Sequence, residues 1–183
     1  MNRKAKLLPV RIYGDDILRK KLPEIVEIDQ KVKDFAQDLT HTMYERDGVG
    51  LAANQVGSSY RMFVVDAGWG DENAPREPEV MINPVILAED GEHEQEEGCI
   101  SLPGIYASVR RPEWIKIRYL DLEGKVRELE ADGLLAVAIQ HENDHLDGIL
   151  FIDHINTLAK LKFKRKLKEL EKSAIDGVNI RAE

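Results

Sequence analysis

The segment QHENDHLDG, at residues 140–148, constrains this chain more than any other stretch. It places His141 and His145 four residues apart, with Glu142 between them. On a helix, residues i and i+4 share a face, so both imidazoles can reach one metal ion. Glu142 points in an adjacent direction, where its carboxylate can accept a proton from a water bound to that ion. The pattern predicts a helix with two ligands of a divalent metal, and such an ion still needs a third protein ligand.

Length and composition predict one soluble, globular domain. A chain of 183 residues with 43% hydrophobic residues is long enough to bury a real core. The formal net charge of −8 argues against a general nucleic-acid binder. The first residues have too short an apolar run for a signal peptide, and the longest apolar run, 134–139, is far below a membrane span. One cysteine, Cys99, excludes an intrachain disulfide, and the cytoplasm is the expected compartment.

Hydrophobic periodicity and capping residues predict the order of helices and strands. The predicted elements are a helix at 29–47 capped by Asp29 and ended by Gly48, strands at 61–67 and 80–87 with the second interrupted by Pro84, a hairpin of 113–121 with 125–131, the motif helix at 133–147 ended by Gly148, and a last amphipathic helix at 157–172 capped by Asn156 or Thr157. Residues 66–79 are predicted to form a turn-rich surface loop.

The predicted strands lie between helices and do not alternate with them. This order predicts an α+β fold, with mainly antiparallel sheets around a central metal-binding helix and a C-terminal helix. Along the motif helix, Leu134, Val137 and Ala138 share one stripe with His141. We therefore expect the ligand-bearing face of this helix to be its buried face.

Three candidates compete for the third metal ligand. A third histidine at H-E-x-x-H-x-x-G-x-x-H spacing is missing, because position 151 is Phe151. A downstream glutamate would be Glu169 or Glu171, but both lie among lysines and resemble ordinary i, i+4 partners. The remaining candidate is Cys99 in EEGCISLPG, whose thiolate is a strong ligand for a divalent transition metal. A lone cysteine in such a chain is otherwise most often a small buried hydrophobe.

A third stretch, GVGLAANQVG at 48–57, loosely matches a dinucleotide-binding fingerprint through Gly48, Gly50 and Ala53. That fingerprint has to follow a strand and open a helix. Here it follows the polar end of the predicted helix at 29–47. The position disfavours a dinucleotide cofactor.

Three segments taken together resemble the signature motifs of the peptide deformylases, in the same order and at compatible spacing: GVGLAANQ, EGCISLPG and QHENDHLDG. The opening segment, LPVRIYGDDILRKKLPEI, is also similar to that family's N-terminal part. The resemblance covers about residues 8–172. We accordingly expect one catalytic domain over 1–183, with a core at about 8–172 and a short tail at 173–183 that has no assigned role.

The resemblance implies an activity and a set of roles. The family removes the formyl group from the N-terminal N-formylmethionine of nascent polypeptides and releases formate. The resemblance implies that Cys99, His141 and His145 are metal ligands and that Glu142 moves the proton. It assigns stabilisation of the oxyanion to the side-chain amide of Gln55 and the backbone N–H of Ile100. The residues expected to line the methionine pocket are Val49, Gly50, Leu134 and Val137.

The ligand types indicate a divalent transition metal but not which one. A thiolate with two imidazoles suits Fe²⁺, Zn²⁺, Ni²⁺ or Co²⁺, and the donor set does not choose among them. The resemblance implies Fe²⁺ as the natural ion, with Zn²⁺ as a common occupant.

Two rival hypotheses use the same residues. One is a metallopeptidase built on the same helix. The other is a closed structural zinc site, in which His93 or His154 would be the fourth ligand. Without such a role, His41, His93 and His154 are expected at the surface or in ordinary packing. Glu97 is expected either to orient the cysteine segment or to be a solvated surface charge.

The C-terminal helix concentrates positive charge. Residues 154–172 contain seven lysines and arginines against two glutamates, a net charge of +5. This is either a solvated helix face or a surface that contacts the phosphate-rich ribosome. Phe163, Leu167 and Leu170 recur at helical spacing and are expected to pack the helix on the body.

Overall fold

The computed structural model describes residues 3–68 and 74–181. The elements in chain order are α1 (Gln30–Glu45), β1 (Gly50–Ala52), β2 (Met62–Val65), β3 (Glu79–Asp90), β4 (His93–Gly98), β5 (Tyr106–Arg111), β6 (Trp114–Leu120), β7 (Val126–Asp132), α2 (Gly133–Leu146), α3 (Thr157–Leu161) and α4 (Lys164–Lys172). Short 3-10 turns lie at Asp16–Arg19, Ala53–Val56 and Phe151–Asp153.

The strands form two sheets. The larger has five strands in the order β1-β2-β3-β6-β7, and the smaller pairs β4 with β5. All of these pairings are antiparallel. Helix α2 contacts β1, β2, β6 and β7, so it lies against the larger sheet. The predicted α+β fold with mainly antiparallel sheets around the motif helix is confirmed.

Helix α1 forms as its sequence predicts. Asp29 is the N-cap, and its side chain accepts a hydrogen bond from the Val32 N–H at 3.0 Å. Val32, Ala36 and Leu39 recur at helical spacing and are buried. This buried face packs in a cluster with residues of β1 and β2, which fixes α1 beside the segment that follows it.

Strand β3 passes through Pro84 and is longer than predicted. The expected strand at 80–87 runs from Glu79 to Asp90, and its register against β6 shifts between Ile82 and Val85. At this irregularity Asn83 has a φ of 49°, and its amide exchanges two 2.8 Å hydrogen bonds with the backbone of Ile25. The strand therefore accommodates the proline, which lacks an N–H, by a local bulge.

The prediction of one C-terminal helix over 157–172 is wrong. The chain forms α3 and α4, separated by a tight turn at Lys162 and Phe163 in which both amides bond three residues back. Phe163, Leu167 and Leu170 do pack on the body, against a cluster that contains Leu102, Ile105 and Phe151. The break turns the chain so that the apolar side chains on both sides of it reach that cluster.

Part of the predicted loop at 66–79 lies outside the described residues, namely 69–73. At its start, Asp66 accepts hydrogen bonds from the Tyr44 hydroxyl at 2.6 Å and from the Glu77 N–H at 3.1 Å. Within residues 3–68 and 74–181, no helix is both long and apolar enough to cross a membrane.

Candidate active site

Helix α2 and the turn after β4 bring three ligand-type side chains together. The donor atoms of Cys99, His141 and His145 all lie within 4.8 Å of one another, and Cys99 Sγ is 3.3 Å from His145 Nε2. In the described part of the chain, no other group of histidine, cysteine and acidic residues meets in this way. One thiolate and two imidazoles suit a divalent transition metal and leave a coordination position open.

Glu97 orients one of these imidazoles. The Nδ1–H of His141 donates to Glu97 Oε2 at 2.8 Å, which leaves His141 Nε2 free to bind a metal. Glu97 is buried, and Arg111 donates to both of its carboxylate oxygens. Burial raises the pKa of Glu97, but the hydrogen bonds from His141 and Arg111 outweigh burial and bring it to about 2. The interpretation of Glu97 as a solvated charge is wrong, and its direct side-chain partners are His141 and Arg111.

Arg111 connects this carboxylate to a second one on α2. Its Nη1 donates to Asp144 Oδ2 at 2.8 Å, and His154 Nε2 lies 2.7 Å from the same oxygen. Arg111 is 4% exposed, so it balances two acids in a poorly hydrated region. Neither Arg111 nor Asp144 was identified from the sequence, because nothing in the sequence shows that Glu97 is buried and needs a cation.

The two histidines offered as a fourth ligand lie elsewhere. His93 is exposed at the start of β4, and His154 is bound to Asp144. Neither belongs to the Cys99, His141 and His145 cluster. The residues that meet here do not support a closed structural zinc site.

Glu142 lies beside the ligands in a dry environment. The residue is 5% exposed, and its Oε2 is buried without a hydrogen-bond partner among the described residues. Burial raises the pKa of Glu142 to about 7, although the charges of His141 and Arg111 oppose the rise. A buried, unpaired carboxylate oxygen next to an open coordination position is suited to accept a proton there.

Gly50 makes room for this carboxylate. A Cβ atom at Gly50 would lie 2.8 Å from both the Cγ and the Oε1 of Glu142. Any side chain at this position would therefore displace the Glu142 side chain. The sequence predicts Gly50 only as a lining residue of the pocket.

Gln55 bridges its own turn and the cysteine segment. Its Oε1 accepts from the Ala52 N–H at 2.8 Å and so caps the turn. Its Nε2 donates toward Cys99 Sγ at 3.3 Å and Ser101 Oγ at 3.2 Å. The amide N–H group thus faces the cluster, and the turn that follows Cys99 begins with Ile100.

An open cleft of about 490 Å³ leads to these groups. Its lining includes all four residues predicted for the methionine pocket, Val49, Gly50, Leu134 and Val137, together with Gln55, Cys99, Ile100, His141 and Glu142. His145 is 1% exposed and contributes nothing to the lining. Leu134 is half exposed, so the expected buried stripe on α2 begins at Val137 and not at Leu134.

The site can be compared with known proteins. A model of the polypeptide deformylase family matches residues 7–161. The peptide deformylase of Alkalilimnicola ehrlichii is 43% identical over 164 residues, 90% of each chain, and that of Clostridium botulinum is 51% identical over 144 residues, 79% of this chain and 93% of that protein. The crystal structure of peptide deformylase from Thermus thermophilus has a TM-score of 0.85 at 41% identity, and the match covers 92% of this chain and 100% of that chain. The chain therefore belongs to the polypeptide deformylase family and is an enzyme of that family.

Proposed function

We propose that this enzyme removes the formyl group from the N-terminal N-formylmethionine of nascent polypeptides and releases formate. One observation carries the proposal: three ligand atoms within 4.8 Å of one another lie beside an unpaired, buried Glu142 at the base of an open cleft. Three protein ligands and an open position are typical of catalytic metal sites, whereas structural sites have four protein ligands.

Cys99, His141 and His145 would hold one divalent ion, and the fit rests on their chemistry. Glu97 holds His141 in the tautomer that presents Nε2, and His145 Nε2 already lies 3.3 Å from the cysteine sulfur. When bound, such an ion lowers the pKa of a coordinated water and polarises a substrate carbonyl. We propose Fe²⁺ as the natural ion, with Zn²⁺, Ni²⁺ or Co²⁺ able to substitute.

The chain's own residues would then move protons and stabilise charge. Glu142 accepts a proton from the attacking water and delivers it to the amine as the carbon–nitrogen bond breaks. A carboxyl whose pKa lies near 7 can do both at neutral pH. The Gln55 amide and the Ile100 N–H donate to the oxyanion, and losing one such donor typically costs about 10²–10³ in rate.

The cleft supplies the selection for methionine. Val49, Leu134 and Val137 offer apolar contacts for an unbranched side chain, and Gly50 lets Glu142 approach closely. The peptide backbone is proposed to lie in the cleft as an added strand. We propose the cytoplasm as its compartment, because new polypeptides are made there.

A formate-release assay tests this function. The metal-loaded protein is incubated with formyl-Met-Ala-Ser, and formate and new amino termini are measured separately. The proposal predicts formate and free Met-Ala-Ser in equal amounts. A metallopeptidase would release internal fragments without formate, and a structural site would release neither, so either result contradicts the proposal.

We further propose that the basic C-terminal helices contact the ribosome. Helices α3 and α4 contain no buried residues, so their lysines and arginines are available to solvent. A localised positive surface on an enzyme with net charge −8 can orient it toward RNA phosphates. Reversing the charges of Lys162, Lys164, Arg165 and Lys166 should weaken co-sedimentation with ribosomes and leave hydrolysis of short formyl peptides intact. Unchanged co-sedimentation at low salt would leave only a solvated helix face.

A further inference from the structure

The C-terminal tail at 174–181 returns to the active site, although the sequence indicated no role for it. Asn179 is 2% exposed and holds the tail in place. Its backbone N–H donates to Asp15 Oδ2 at 2.9 Å, and its side-chain amide donates to the carbonyls of Tyr13 and Leu170 at 2.7 Å each. A buried amide with this many partners fixes both the backbone and the side chain of the tail.

The tail pairs with residues 10–13, which also contact the turn of Gln55 and the turn that follows Cys99. The Ile12 N–H donates to the Asn179 carbonyl at 2.9 Å, and the Arg181 N–H donates to the Val10 carbonyl at 2.8 Å. On its other side, the same segment donates from Arg11 to the Gln55 carbonyl at 2.7 Å and from Tyr13 to the Ser101 carbonyl at 2.8 Å. The tail is therefore connected to the turns that contain Gln55 and Ser101 through residues 10–13, which bond to the tail on one side and to these turns on the other.

This arrangement places a guanidinium at the cleft. Arg181 is exposed and lines the cleft together with Gln55, Cys99 and Ile100. It makes no ion pair with any other residue of 3–68 or 74–181. The cleft lining also contains one more cation, Arg46, and the acids Asp47 and Glu96. A negative charge on a bound peptide would therefore be attracted at some positions along the cleft and repelled at others.

We infer that Arg181 is a specificity-determining residue that binds a carboxylate of the peptide substrate downstream of the formylated methionine. A guanidinium is always charged and pairs well with carboxylates. The carboxylate is either an acidic side chain or the C-terminus of a short peptide. This inference rests on the proposed deformylase function and deepens it.

The test compares formyl-Met peptides that differ by one charge. C-terminally amidated peptides with Asp or Asn at the second, third or fourth position are hydrolysed by wild type, Arg181→Gln, Arg181→Lys and Arg181→Glu. The measured quantity is the ratio of kcat/KM for Asp to that for Asn at each position. A second pair, formyl-Met-Ala-Ser as the free acid and as the amide, tests the C-terminal carboxylate.

An exposed ion pair of this kind should change the ratio by about two- to fivefold. We expect Arg181→Gln to lower the ratio at one position or for the free acid, Arg181→Glu to lower it further, and Arg181→Lys to restore most of it. Arg118→Gln removes an exposed arginine on β6 that does not line the cleft and should keep the wild-type ratio. Asn179→Ala releases the tail and should lower the ratio although Arg181 is intact.

Two outcomes separate this inference from the proposed function. If wild type and Arg181→Gln have equal ratios for every pair while formate is released from the Asn peptides, the inference is overturned and the proposed function stands. If metal-loaded wild type releases no formate from any peptide, the proposed function itself is overturned.

Discussion

Helix α2 and the pair formed by α3 and α4 are both rich in polar residues, but α2 buries many of them and α3 and α4 expose theirs. Nine residues of α2 are buried, and four of these are polar: Gln140, His141, Glu142 and His145. Helices α3 and α4 have no buried residues, and their lysines and arginines face solvent. The buried polar groups of α2 are therefore oriented by protein neighbours, whereas the charged groups of α3 and α4 are surrounded mainly by water and are screened by salt.

The comparison shows why the chemistry lies on α2. Two polar groups of α2 have partners from other elements: Glu97 from β4 for His141, and Arg111 from β5 for Asp144. Glu142 Oε2 has none among the described residues, which leaves it able to accept a proton. A substitution on this side should cost stability or turnover. A substitution of an exposed lysine or arginine on α3 or α4 should cost neither, whereas Leu167 and Leu170 pack on the body.

The largest stability effect is expected from Arg111→Met. This change leaves Glu97 and Asp144 without their cation in a buried region, which typically costs about 3–5 kcal/mol. Unfolding in urea measures the loss. The matched control is Arg110→Met, one residue earlier and pointing to solvent, where its pair with Glu94 should contribute nothing measurable. Equal effects for the two variants would show that burial does not distinguish them.

Gly50→Ala should damage turnover more than stability. The added methyl group would lie 2.8 Å from the Glu142 side chain and would push the carboxylate away from its position. A misplacement of about 1 Å can cost on the order of 10²-fold in rate, or about 2.7 kcal/mol. Formate release from formyl-Met-Ala-Ser measures the loss. Gly68→Ala is the control, because its Cβ would meet nothing closer than 3.4 Å; comparable activity in both variants contradicts the steric argument.

Arg61→Met should have a smaller, pH-dependent effect at the end of α2. Burial raises the pKa of Asp147, but hydrogen bonds and charge from Arg61 and Lys21 prevail and place it below its ordinary value of 3.8. Ionised Asp147 therefore stabilises the folded state above that value, and this contribution disappears as the pH falls through the lowered pKa. Arg61 also donates to the carbonyls of Leu22 and Leu146, and Arg61→Met removes these bonds at every pH. Because the Arg61–Asp147 pair is partly exposed, we expect the pH-dependent part of the difference in unfolding free energy between wild type and Arg61→Met, the part lost between pH 7 and pH 3, to stay below about 1 kcal/mol. A difference that grows on acidification would have the wrong sign.

The smallest effect on stability and turnover is expected from the exposed lysines and arginine of the C-terminal segment. Each charge reversal at Lys162, Lys164, Arg165 or Lys166 should change the unfolding free energy by no more than about 0.5 kcal/mol. Formate release from short peptides should stay at the wild-type rate. Urea unfolding and the formate assay measure both. A loss of several kcal/mol from any one of them would mean that its side chain has a structural partner beyond the exposed pair of Arg165 with Glu169.

The sequence predicted the helices of the core because their residues alternate between buried and exposed with a helical period. Val32, Ala36 and Leu39 are sufficient to find α1. It did not predict β4 and β5, because β4 has no apolar side chain and the apolar face of β5 is only Ala107 and Val109. Cross-strand pairs such as Glu94 with Arg110 become visible only once the strands are paired. The turn at Phe163 was missed for a similar reason, since packing on a distant cluster and not local propensity decides it.

The site was predictable as far as its motifs reach along the chain. Two histidines on one helical turn required a third ligand, and Cys99 was the candidate that remained. The supporting groups were not predictable, because Arg111 is 14 residues from Glu97 and 33 residues from Asp144. The contact between Gly50 and Glu142 likewise joins two motifs that only the folded chain brings together.

The most direct test of the account measures metal content and formate release on one sample of Glu142→Gln. Cys99, His141 and His145 are intact in this variant, so it should bind one divalent ion per chain, as the wild type is expected to do. It cannot accept a proton, so formate release from formyl-Met-Ala-Ser should fall by about 10²–10⁴ at equal metal content. Turnover within a few-fold of wild type at equal metal content would contradict the assignment of Glu142 and the mechanism built on it.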